Sequence, residues 1–229
     1  MARTGQLGSD RVRSTEPRIG EIDGRTRILD AALEEFANRG FDGATTAAIA
    51  RHAGVTQPLV HYHFASKDEL WRAAVTREVD AIVDHFGGIS AELGDLEPVD
   101  RMKVLVRRLV LFMAEHPEFG RIMAYEGVQG GPRHQWILGL SSGGDGRVPL
   151  FERMLASGGE CGWAKPLPVP HVVSCIVASS AYFFQVRATM RDQYGLDATA
   201  PEVIAAHADT VVELLFHGLV RTDAGGGAA

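Results

Sequence analysis

Residues 45–70, TTAAIARHAGVTQPLVHYHFASKDEL, constrain the fold more than any other stretch, because they read as two short helices hinged at a glycine. In the first, Ile49, Ala50 and Ala53 recur at helical spacing, and Gly54 supplies the positive φ that ends it. Thr56 is placed as N-cap of the next helix, with Gln57 and Pro58 in its first turn, where proline's missing N–H costs nothing. On that second helix Thr56, Gln57, Leu59, His61 and Tyr62 are expected to be exposed. Val60 and Phe64, at i and i+4, turn inward. The result is a short rigid rod of the size that a DNA major groove admits.

A glycine-hinged pair of helices occurs in many proteins that never meet DNA, so its flanks decide its meaning. Before it, residues 25–39 form an amphipathic helix with Ile28, Ala32 and Phe36 on one edge and Leu29, Leu33 and Ala37 beside them, closed by Gly40. After it, Ser66 and Glu69 make a capping box that opens a further helix through Leu70, Trp71 and Ala74.

Read together, LDAALEEFANRGFDGATT and IARHAGVTQPLVHYHFASKDEL resemble the N-terminal DNA-binding domain of the TetR family of bacterial transcriptional repressors, over residues 25 to about 75. The resemblance implies that Thr45 caps the second helix and touches phosphate, that Thr56, Gln57 and Leu59 face the groove, and that His61, Tyr62 and Lys67 hold the DNA backbone. The chain departs from the common pattern at Pro58 and His61, where glycine and tyrosine are frequent. Chemistry adds its own constraint: Gln57 suits adenine N6 and N7, and Leu59 or the Pro58 ring suits a thymine methyl. The Thr56 hydroxyl is assigned to capping. One bidentate pair gives about 1–3 kcal/mol of discrimination, so one glutamine alone cannot specify an operator, whereas a dimer reading two half-sites can.

The formal net charge of -6 looks unfavourable for a DNA-binding chain. Residues 1–75, however, hold ten Lys or Arg and ten Asp or Glu, so the deficit lies beyond residue 75. Arg51, Lys67 and helix N-termini remain to meet phosphates. At 229 residues, two domains are expected: 23–75 for DNA and 76–222 for ligand and dimerisation, between a disordered arm at 1–22 and a flexible tail at 223–229. Two cysteines, Cys161 and Cys175, are too few for a disulfide framework and fit the cytoplasm. The polar opening has no secretion h-region, and no 18-residue apolar run suggests a membrane span.

Beyond residue 75 the periodicity is helical, giving an all-α fold. Helices are expected at 67–86, 99–115, 118–128, around 134–138, 148–156, 169–194 and 201–221, with a glycine-rich passage over 127–146. The first of the last two leaves little polar face and the second carries an apolar stripe with small residues, which points to pairing across a two-fold axis through Ile176, Ser180, Val203, Thr210, Val211, Leu214 and Gly218. The resemblance implies the same homodimer, and hence a palindromic operator.

Candidate lining residues for an effector site are Phe112, Met113, His116, Met123, Tyr125, Glu126, Trp136, Phe151, Met154, Trp163, Phe183 and Phe184, suited to an apolar, aromatic or cyclic small molecule. No cofactor or metal is expected: His61 and His63, at i and i+2, point to different faces, and no HExxH, CxxC or phosphate-loop pattern is present. A regulator without enzymatic activity is the favoured reading. A ligand-processing enzyme in which His116 meets Glu126, or an architectural DNA binder without an effector, is the alternative.

Overall fold

The computed structural model describes residues 19–86, 93–142 and 150–221. Among them the chain is helical, with one isolated antiparallel bridge between Ala164 and Val220. Residues 1–18 of the arm expected at 1–22, the Gly87–Gly88 stop, the end of the glycine-rich passage from residue 143 onward and the tail lie outside the described residues. The elements are α1 (Ile19–Gly43), α2 (Thr46–His52), α3 (Gln57–His63), α4 (Lys67–Phe86), α5 (Pro98–Glu115), α6 (Pro117–Gln129), α7 (Pro132–Ser142), α8 (Leu150–Glu160), α9 (Val169–Gln185), α10 (Arg187–Tyr194) and α11 (Pro201–Leu219).

Helix α1 starts at Ile19, inside the stretch read as arm, and its regular part ends at Gly40, whose φ of 68° breaks the helical run. Its stripe Ile28, Ala32 and Phe36 is buried as the 3.6-residue period demands. Helix α4 occupies the span expected of it. Ser66 Oγ accepts from the Glu69 amide at 3.0 Å, while Glu69 Oε2 reaches back to the Ala65 amide at 2.9 Å, so the box closes one residue earlier than the usual pattern.

Two departures from the sequence reading shape the C-terminal half. The helix expected over 169–194 is broken at Val186 (φ -104°, ψ 29°) into α9 and α10, which bend by 66°. The short element around His134 is a full helix, α7, packed on α6 and α4. Around these, α1 packs on α4 and α6, α5 lies between α9 and α11, and α8 closes over α5 and α9. The main apolar core among the described residues runs from Ile28 through Trp71 and Val79 of α4 to Met102, Phe112, Ile137 and Phe216, with a small second cluster at Leu93 and Leu105. The reading head is thus welded to the helical body through α4. No single helix among the described residues is long and apolar enough to cross a membrane.

Candidate nucleic-acid interface

Helix α3 is held from behind and bare in front. Val60 and Phe64 are buried, and Gln57, Pro58, His61 and Tyr62 are exposed, Tyr62 at 70%. Leu59 departs from expectation: it is half-buried and packs back toward α1 beside Gly24, so its share of a groove contact is its outer edge only. The turn between α2 and α3 is set by Gly54, with φ at 63°, and is clamped by Arg27 of α1, which donates to the carbonyls of Ala53 and, at 3.0 Å, Gly54. A side chain at Gly54 would meet the Arg27 guanidinium at 2.8 Å as well as adopt a left-handed backbone. Arg27 carries no sequence signal beyond its charge.

The caps divide differently from expectation. Thr45 Oγ1 accepts from the Ala48 amide at 3.1 Å and fixes the start of α2. Thr56 occupies the N-cap backbone position of α3 but makes no side-chain capping bond, which leaves its exposed hydroxyl to solvent. Gln57 is steadied by its neighbours: Nε2 donates to Thr46 Oγ1 at 3.3 Å and lies 3.5 Å from His61 Nε2. Thr46 is a second residue that sequence reasoning passed over.

Lys67, expected at the DNA backbone, is engaged within the protein as well. Its Nζ donates to the Phe41 carbonyl at 2.9 Å and the Ala44 carbonyl at 3.1 Å, and sits 4.4 Å from the centre of the Phe41 ring. An ammonium so employed holds the turn between α1 and α2, and phosphate contact is at most its third bond.

The expected effector residues do not converge on one chamber. Phe112, Met113 and Phe184 are core, while Met123, Trp136, Phe151, Met154, Trp163 and Phe183 are half-buried against it. Tyr125 is 43% exposed and lies across Gly40. Glu126 is buried and bound to Arg133 Nε at 3.3 Å. His116 stacks on Phe112 at 4.3 Å and pairs its Nδ1 with Glu78 Oε2 at 2.6 Å, so the acid–base encounter of His116 with Glu126 does not form. His116 and Glu78 instead wall a cleft of about 460 Å³ with Asp30, Arg77, Glu115 and Glu118, where α1 meets α4, α5 and α6.

The outward face of α9 and α11 is apolar and uncovered. Leu214 is 72% exposed, Tyr182 63% and Val177 42%, with Thr210 and Gly218 exposed beside them. Ile176, Ser180 and Val211, expected on that face, point into the protomer's own core, and Val203 is half-buried. Between the two helices His207 donates Nε2–H to the Ser179 carbonyl at 3.0 Å and stacks on Phe183 at 4.3 Å. Burial holds its imidazole below the ordinary histidine value, and the Ser179 bond pulls partly the other way.

Comparison with known proteins decides what this head and body are. Residues 28–74 match the family model of bacterial regulatory proteins of the tetR family, and residues 98–215 match that of the tetracyclin repressor-like C-terminal domain. The chain belongs to the TetR family. Membership makes it a ligand-responsive, DNA-binding transcriptional regulator. It is 26% identical over 203 residues to the HTH-type transcriptional regulator RutR of Escherichia coli K12, covering 84% of this chain and 92% of the relative. The HTH-type transcriptional activator FasR of Mycolicibacterium smegmatis is 41% identical over 66 residues, 29% of this chain and 30% of its own. Among solved structures, the ketosteroid transcriptional regulator KstR2 of Mycobacterium tuberculosis superposes with a TM-score of 0.67 at 20% identity, over 86% of this chain and 95% of that one. The regulator FadR of Bacillus subtilis, in complex with stearoyl-CoA, gives 0.59 at 16% identity, over 84% and 98%. These two likenesses speak for the fold of the TetR regulator.

Proposed function

We propose that this TetR-family regulator acts in the cytoplasm as a homodimeric repressor that grips a palindromic operator with two copies of α3 and releases it when an apolar small molecule binds. The observation that carries this reading is the division of α3: its inner residues are buried while Gln57, Pro58, His61 and Tyr62 stand in solvent. Gln57 and Pro58 read bases, with adenine and a thymine methyl preferred, and Thr45, Thr56, His61 and Tyr62 meet the sugar-phosphate backbone. Dimerisation uses the bare face of α9 and α11 around Leu214, Tyr182, Thr210 and Gly218. A two-fold axis there would set the reading helices about 34–36 Å apart, one turn of DNA.

The effector part rests on the half-buried methionine and aromatic side chains of α7, α8 and α9, chiefly Trp136, Phe151, Met154 and Phe183, which a ligand can part without opening the core at Phe112. Ligands as apolar as a ketosteroid or an acyl chain, named for KstR2 and FadR, suit that lining. Selection of duplexes from a random pool by the full-length protein tests the core of the proposal. A palindromic motif is expected, and Gln57→Ala should flatten preference at one base pair per half-site by about 1–3 kcal/mol. Failure to enrich any motif would sink it.

A further inference from the structure

The turn joining α1 to α2 is gripped from both sides. From within the head, Lys67 holds the Phe41 and Ala44 carbonyls. From the body come two side chains. Tyr125 of α6 lies so close over Gly40 that a Cβ there would be 2.9 Å from its ring, and Gly40 has the left-handed φ of 68° that the turn needs. Arg133, in the first turn of α7, places its guanidinium 4.2 Å from the centre of the Phe41 ring and 3.9 Å from Asp42 Oδ2.

Arg133 is itself anchored. Its Nε lies 3.3 Å from Glu126 Oε1, a carboxylate that is 2% exposed, whereas Asp42 is solvated and adds little. Three residues along α7, Trp136 packs 5.4 Å from Trp71 and takes Arg72 over its ring at 5.0 Å, so the same helix also fastens onto α4. The turn that Arg133 holds ends at Thr45, whose hydroxyl caps α2. A guanidinium in the C-terminal body is therefore only a few contacts from the cap that starts α2.

We propose that Arg133 is a positioning residue for DNA binding, which makes the start of α7 a direct link from the C-terminal domain to the reading head alongside α4. This rests on the reading above that Thr45 faces the DNA backbone. Displacement of α7 would withdraw the guanidinium from Phe41, loosen residues 40–45 and unseat the cap of α2. Because the cap meets backbone and not bases, all sequences lose affinity alike.

The test uses the full-length wild type, Arg133→Met, Arg133→Lys and Glu126→Gln on the duplex that the wild type enriches and on a scrambled one. Arg133→Met should weaken both about 2- to 30-fold, with their ratio unchanged. Amide exchange at Ala44 and Ala48 should rise while exchange in α9 and α11 stays as it was. Arg133→Lys, which still places a cation over Phe41, should recover part of the loss, and Glu126→Gln should lose part. Wild-type affinity with unchanged exchange at 40–48 in Arg133→Met would overturn the proposal. So would a loss matched by faster exchange throughout the molecule and not rescued by lysine. If Arg133→Met fails to fold, Glu126→Gln and Arg133→Lys carry the same comparison. If the wild type enriches no duplex, the operator reading fails, and the exchange at 40–48 still judges the grip of Arg133.

Discussion

Replacing Leu214 by Asp separates the protomer's fold from its assembly. Leu214 is 72% exposed in the protomer, so the substitution removes almost no packing there and should shift protomer stability by no more than about 0.5 kcal/mol. In a two-fold dimer through α9 and α11, the exposed part of that leucine becomes buried. Full burial of a leucine is worth about 1.5–3 kcal/mol, so the fraction at stake here is roughly 1–2 kcal/mol per copy, and symmetry counts it twice. Two unpaired carboxylates near the axis, each beside Glu213, add a desolvation cost of a few kcal/mol more. A total near 5 kcal/mol raises the dimer dissociation constant by about three to four orders of magnitude. Sedimentation velocity from micromolar to nanomolar protein, with circular dichroism on the same samples, should find a helical monomer. A Leu214→Asp dimer as tight as wild type would refute the assignment of this face.

Lys67→Met removes the charged donor from the carbonyls of Phe41 and Ala44, and should cost about 1.5–3 kcal/mol, read as a lower melting temperature. An unchanged melting temperature with a salt slope reduced by about one would instead make Lys67 a phosphate contact. His207 gives the pH dependence. Because its folded value lies below its unfolded one, the unfolded chain takes up the proton first as pH falls, and stability present above about pH 6.5 declines through the lower folded value. Melting temperatures between pH 7.5 and pH 5 should fall less in His207→Phe, which keeps the stack on Phe183 and cannot titrate; parallel profiles would refute the role.

Local chemistry was the legible part of the sequence. Gly54, the capping box at Ser66 and the apolar stripe of α1 each act within a few residues, so their spacing announced the head and the start of α4. What escaped was decided by tertiary contacts. Lys67 reads as a free surface cation until the turn at Phe41 folds over it, and Arg133 follows two glycines and a proline with no helical stripe to flag it. The phase of α9 was ambiguous because both its faces are apolar: Ile176 and Ser180 point inward, while Val177 and Tyr182, equally plausible by composition, point out. Val186 breaks the helix with neither Gly nor Pro at that position to announce it. The effector site was least legible, since methionine and aromatic side chains serve core and pocket alike.

The Phe41 ring has one further consequence. It takes Lys67 from the head and Arg133 from the body, while Trp71 stands perpendicular to it at 6.3 Å and Phe36 lies nearly parallel to it at 6.0 Å. Two cations sharing one quadrupole cannot be costed separately: removing the ring cancels both, and removing either cation changes what the other is worth. Positions 41, 67 and 133 should therefore form one epistatic unit. Drift at any of them would be tolerated only in concert, and grafting this head onto another TetR body would require carrying the arginine with it.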